Sequence, residues 1–348
     1  MGALRLLLAI IVVAGHAGFI GIPFPNEVPY SAWTLSVPDG RSAVVLFFII
    51  SGFYMSMVLN TKYQNNTKQF YINRFLRLWP TYLVSLVLLF LFTPIFENLI
   101  NFTSNCNVFI KIYVWFCNIF IIGSDSFWLM SVDHASGTMQ YLPDFSSEKA
   151  NGWALFLNSP VFSVGVEMVF YAMAPFIVKS IKRVWVYFFV GLAYYLMIMV
   201  FGKLNIVYQY HMPPVGFLFF ALGALSWHYS TSNSGPLDNT KMLFFFVLTV
   251  IMLFAPTVLS AIIYIPFAIL VPYLFKLTKD NELDRFLGEL SYPVYILHFP
   301  VLHYMWGIQV DKVNIGWITL AVTLVISVPV HFFVVKKIDE FRQQMIAK

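Results

Sequence analysis

Residues 4–22 read LRLLLAIIVVAGHAGFIGI, an apolar run with one arginine at its start and one histidine near its end. At about 1.5 Å of rise per helical residue, the run nearly covers the ~30 Å hydrocarbon core of a bilayer. A basic start and small residues at Ala14 and Gly15 also fit a secretory leader. The run is long enough to span, however, and others like it follow, so it is expected to stay as the first transmembrane helix.

Working outward, comparable runs cover Arg41–Leu59, Leu76–Phe96, Pro160–Val178, Val184–Phe201, Pro213–Tyr229, Met242–Thr257, Ser260–Leu277, Ser291–Trp306 and Ile315–Val335. The expected architecture is an all-α, polytopic transmembrane helix bundle of about ten spanning helices, with residues 1–348 forming a single domain. Composition agrees. Hydrophobic residues make up 59% of the chain and charged ones 11%, whereas soluble proteins carry about 25% charged residues. Too little polar surface remains to cover a globule in water. The net charge of +5 is scattered in short clusters between apolar runs and forms no broad basic face, which argues against nucleic acid as a partner. Cys106 and Cys117 support at most one disulfide and no cysteine-rich zinc site. No metal and no permanently bound cofactor is expected.

Basic residues flanking short loops collect on the cytoplasmic side. Clusters stand at Lys62, Lys68, Arg74 and Arg77, at Lys179, Lys182 and Arg183, at Lys276, Lys279 and Arg285, and at Lys336, Lys337 and Arg342. One further run, Val108–Ile122, is short and interrupted by Lys111 and Asn118. Leaving it out puts every cluster inside and both termini in the cytoplasm. Residues 97–159, with Asp125, Asp133, Asp144 and Glu148, are then an extracytoplasmic loop that holds an interfacial or re-entrant segment.

An ionisable side chain near the bilayer centre costs roughly 2.5–3.5 kcal/mol and so asks for a partner, a cavity or a job. His16, Glu167 and His298 are such residues. Counting from Leu4, His16 lies about 18 Å deep, past the midplane. Glu167, on a span entering from outside at Pro160, falls about 10 Å from the outer edge, at the same level. A carboxylate there would fix the histidine tautomer and stabilise its imidazolium, or would form an ion pair that only specifies packing. His298 lies about 10 Å in from the opposite face and shares a helical stripe with Tyr292 and Tyr295. The stripe lines a tunnel or contacts another helix. Arg74 and Arg77, three apart, share one face, as snorkelling anchors or as ligands for phosphate oxygens. Ser51 should reach the midplane as a hydrogen-bond donor to a carbonyl, with Gly52 allowing close backbone approach.

Five segments in order carry a family resemblance: Arg5 with His16; Phe47-Phe48-Ile49-Ile50-Ser51-Gly52-Phe53; Arg74 and Arg77 leading to Pro80; Ser163-Val164-Gly165-Val166-Glu167 with Phe170, Tyr171 and Pro175; and Ser291-Tyr292-Pro293 running to His298. Together they resemble acyltransferase family 3, membrane-bound enzymes that modify carbohydrates and other acceptors. Where the family commonly reads Trp-Ser-Leu-Ser-Val-Glu, this chain has Phe162-Ser163-Val164-Gly165-Val166-Glu167. The resemblance implies acyl-coenzyme A, most often acetyl-coenzyme A, as a cytoplasmic co-substrate. It implies a carbohydrate or lipid-linked sugar as acceptor, and a bacterial cytoplasmic membrane as the place of action. The expected catalytic pair is His16 as base, or as an acyl-carrying nucleophile, with Glu167 orienting it. Arg5, Ser51, Arg74, Arg77, Tyr171, Ser291, Tyr292 and His298 are the expected substrate-binding set. Arg5 has a second possible job as an anchor for the first helix. Two rival readings use the same residues: a saccharide exporter with a His/Glu proton relay, and a non-catalytic scaffold that has kept the fold.

Overall fold

Apolar runs in lipid must satisfy their backbone internally, and the helix does so within one segment. The computed structural model describes residues 1–17, 40–142, 149, 151–201, 207–232, 257–311 and 314–347, most of them in helices. These are α1 (Gly2–Ala17), α2 (Gly40–Asn60), α3 (Thr67–Phe92), α4 (Ile95–Phe102), α5 (Val108–Phe120), α6 (Phe162–Ile177), α7 (Ile181–Phe201), α8 (Pro213–Ser232), α9 (Thr257–Thr278), α10 (Glu282–Gly307), α11 (Ile315–Val330) and α12 (Lys336–Ala347). One π-helical turn, His331–Val335, joins α11 to α12. Nearly all of the expected span Met242–Thr257 lies outside the described residues, as do residues 18–22 of the first run, Asp144 and Glu148. Among the described residues, five helices are long and apolar enough to cross a membrane: Gly40–Asn60, Thr67–Phe92, Ser159–Ile177, Ile181–Ile198 and Ile315–Met345. Each corresponds to one of the ten expected spans. The 97–159 segment adds an antiparallel hairpin, β1 (Met130–Asp133) with β2 (Thr138–Tyr141), in the register Met130↔Tyr141, which the all-α expectation left out.

Proline-freed carbonyls are answered by particular polar side chains. Pro300 cannot donate to Ile296 in α10, and the Asn158 amide donates to that carbonyl instead, at 3.2 Å. Pro272 leaves the Ala268 carbonyl of α9 free in the same way, and the Ser226 hydroxyl of α8 donates to it. Glycine does comparable work between helices. A Cβ on Gly52 would run into the Phe220 carbonyl, and one on Gly223 into the Ile49 carbonyl, so α2 and α8 touch backbone to backbone.

α5 has 13 residues, a rise of about 20 Å, short of the hydrocarbon core. Its end meets the middle of α3. Trp79 Nε1 donates to the Ile119 carbonyl at 3.0 Å and the Tyr82 hydroxyl to the Asn118 carbonyl at 2.5 Å. Left-handed Ile121 (φ 70°) and Gly123 (φ 80°) then turn the chain back. Asn118, which interrupts the apolar pattern, pins the return: its amide donates to the Leu155 carbonyl at 2.8 Å, and its oxygen accepts from Leu157 N–H at 2.8 Å. The segment therefore dips to mid-bundle and returns.

The four basic clusters converge at one end of the bundle. Lys179 donates to the Gln64 carbonyl at 2.7 Å, Arg342 Nε to Asn73 Oδ1 at 2.8 Å, and Gln69 Nε2 to the Met345 carbonyl at 3.0 Å. The Met1 amino group donates to Asp284 at 2.6 Å, beside Lys279 and Arg285. Asp284 also takes the Gly2 and Ala3 N–H groups, at 2.7 and 2.9 Å. Partial burial pushes the Asp284 carboxyl up, but the Gly2 N–H, the amino group and the Ala3 N–H outweigh it and hold the pKa at about 2.

Candidate active site

At the basic end a cavity of about 380 Å³ opens between α1, α2, α3, α6, α9, α10 and α12. Along α2 its lining runs from Val58 to Val44, about 21 Å of rise, so it is deep. Arg5, Arg74, Arg77, Lys279, Arg285 and Arg342 line it, and so do four carboxylates, Glu167, Asp284, Glu289 and Asp339. Every one of those carboxylates is engaged by the protein itself. Glu167 accepts the Ser51 and Tyr171 hydroxyls, each at 2.5 Å. Asp284 holds the start of α1. Glu289 lies 3.6 Å from His331, and Asp339 pairs with Arg342. Arg5, Arg74 and Arg77 form no ion pair within 4.0 Å among the described residues. The cavity thus carries uncompensated positive charge.

Arg74 shows how the sequence prepares this charge. It is 7% exposed, its guanidinium lies 5.6 Å from the Phe70 ring centre and 5.8 Å from that of Tyr171, and its Nε has no hydrogen-bond partner among the described residues. Phe70 lies one turn before it on α3, and Tyr171 comes from the facing helix α6. Aromatic faces stabilise the cation without consuming its donors, and a buried unmade donor is costly until an acceptor arrives.

Along α10 the cavity lining ends at Tyr295, whose hydroxyl joins Ser163 Oγ at 2.6 Å and the Pro160 carbonyl at 2.9 Å, with Phe47 edge-on at 6.3 Å. One turn beyond lies His298, fully buried, its ring 6.0 Å from Tyr295 and 5.1 Å from the ring of His16. His16 Nδ1 donates to the Val12 carbonyl at 3.0 Å and His298 Nδ1 to the Tyr295 carbonyl at 2.5 Å. A carbonyl only accepts, so each Nδ1 carries a proton, and in the neutral rings Nε2 keeps the lone pair. His298 Nε2 has no hydrogen-bond partner among the described residues, while His16 retains exposed surface. Among the described residues no three His, Cys, Asp or Glu side chains gather as a metal site.

The expected His16–Glu167 pair is not formed. Gly15 lies against Gly40, and Ser51 is eleven residues farther along α2, roughly 16 Å of rise. Glu167, bonded to Ser51, is therefore two to three turns from His16. Depths counted from assumed span edges had put them level. The tautomer-fixing partner of His16 is a backbone carbonyl, and its ionisable neighbour is His298. The tyrosine–histidine stripe divides as well: Ser291, Tyr292 and Tyr295 line the cavity, whereas His298 lies behind Tyr295. Arg5, Ser51, Arg74, Arg77 and Tyr171 do meet in one cavity with Glu167. Arg342, Lys279 and Arg285 were missed as lining residues, because their clusters read only as topology signals.

An imidazole base close to the end wall of a cation-lined pocket suits acyl transfer from an anionic donor. No curated protein and no solved structure matches the chain. A family model described as an acyltransferase domain matches residues 1–335. It covers nearly the whole chain, and the protein belongs to this acyltransferase-3 family.

Proposed function

We propose that this acyltransferase moves an acyl group, acetyl as the family leads one to expect, from cytoplasmic acyl-coenzyme A to a hydroxyl of an envelope saccharide or lipid-linked sugar. The observation that carries the reading is the cavity: uncompensated arginines at the basic end, and an end wall one helical turn from a histidine pair. The nucleotide phosphates sit at the arginines, and the thioester arm runs inward along α2. Tyr295 moves aside to admit the acyl group. His16 Nε2 takes the proton of the acceptor hydroxyl, whose oxygen attacks the thioester carbonyl. The carbon–sulfur bond breaks, and the thiolate leaves with the proton that His16 returns. An acyl-histidine at His16 Nε2 is the two-step alternative. Glu167 belongs to the donor site in this scheme, holding Ser51 and Tyr171 beside the arm.

Transfer of radiolabel from acetyl-coenzyme A to a saccharide fraction, in membranes containing the wild-type chain, tests the reading. Label should appear with the wild type and be absent with His16→Ala inserted at equal level. Saccharide moved across the membrane without acquiring label would instead identify an exporter.

A further inference from the structure

The family match ends at residue 335, yet the cavity wall does not. The next helix, α12, contributes Ile338, Asp339 and Arg342 to it. Arg342 is fastened in place: Nε donates to Asn73 Oδ1 at 2.8 Å, and Nη1 pairs with Asp339 one turn earlier. Asn73 is itself fully buried and donates to the Gln69 carbonyl at 3.0 Å. Gln69 in turn holds the Met345 carbonyl. These contacts clamp α12 across the start of α3, next to the arginines of that helix. Arg342 lies within electrostatic reach of both Arg74 and Arg77. Three guanidinium groups therefore line one cavity, and among the described residues only Arg342 of the three pairs with a carboxylate, Asp339. Like charges drawn together in a partly buried site repel unless an anion joins them, and Arg74 Nε already waits without an acceptor.

We propose that α12 completes an anion site in which Arg342 is the third guanidinium beside Arg74 and Arg77, and that this site takes the phosphorylated nucleotide end of the donor. The identity of that ligand rests on the acyl-coenzyme A reading above; the site itself rests on the three arginines. Arg342 acts as a binding residue far from the reacting carbonyl, so it sets donor affinity and leaves chemistry to the far end of the channel.

Binding of coenzyme A, pantetheine and inorganic pyrophosphate to the full chain in nanodiscs, measured by calorimetry for wild type, Arg342→Gln and Arg342→Lys, tests this. Arg342→Gln should weaken coenzyme A and pyrophosphate about tenfold or more, the scale of a lost charge-assisted hydrogen bond. Pantetheine, which lacks the phosphates, should bind as to wild type, and Arg342→Lys should recover part of the loss. Equal weakening of all three ligands would mean that Arg342 only holds the fold, and undiminished coenzyme A and pyrophosphate binding would remove it from the site; either overturns the proposal. Arg342-dependent binding of pyrophosphate without binding of coenzyme A would uphold the anion site and reject the donor reading.

Discussion

His16 owes its tautomer to Val12, four residues back on the same helix, so the proposed base is prepared by α1 alone. Replacing it by Ala should lower turnover at least about 100-fold, the usual share of a general base, with donor binding retained. Initial rates together with coenzyme A titration check both halves. Glu167→Gln still accepts from Ser51 and Tyr171, so kcat should stay within a few-fold of wild type and its pH profile should not move. Glu167→Ala removes the acceptor that both hydroxyls share and should raise the donor KM about tenfold. A collapse of kcat in Glu167→Gln with a shifted profile would return the carboxylate to His16. At this scale the ionisable residues were legible because lipid penalises them wherever they stand. Their partners were not, because pairing depends on helix register, and one chain read alone carries none.

Helices in this bundle depend on contacts made outside their own ladders. Asn158 serves α10 by donating to the Ile296 carbonyl that Pro300 releases, and α3 by donating to Ser85 at 3.2 Å. Asn158→Ala should cost about 1–3 kcal/mol, seen as a lowered unfolding temperature in detergent. Asp284 does comparable work between α1 and α10. Its folded pKa of about 2 lies below the ordinary 3.8, so the stability it contributes is present above about pH 4 and is lost as pH falls through about 2. Wild type should therefore unfold at a higher temperature than Asp284→Asn near neutrality, and the difference should shrink toward pH 2. A constant difference would show that the charge is irrelevant. Hydropathy revealed where helices run, since apolar length is what a bilayer selects. It marked α5 as a short, interrupted run but left open how deep the segment goes, which is set by Asn118 and by two left-handed residues after it.

For the whole molecule, the basic clusters were read as a sign of orientation, and three of the four also contribute residues to a cavity. The two readings are compatible, because the proposed cytoplasmic anionic donor and the positive-inside rule both call for cations at the same end. Composition alone pointed to a membrane bundle, and five ordered motifs pointed to the family; the separation of the arginine pocket from the histidine pair needed three dimensions. The direct test is a structure of the full chain in nanodiscs with coenzyme A bound. The account predicts phosphates at Arg74, Arg77 and Arg342, with the sulfur at Tyr295 and directed toward His16. A sulfur left at the Lys279 mouth, or a coenzyme bound outside this cavity, would contradict it.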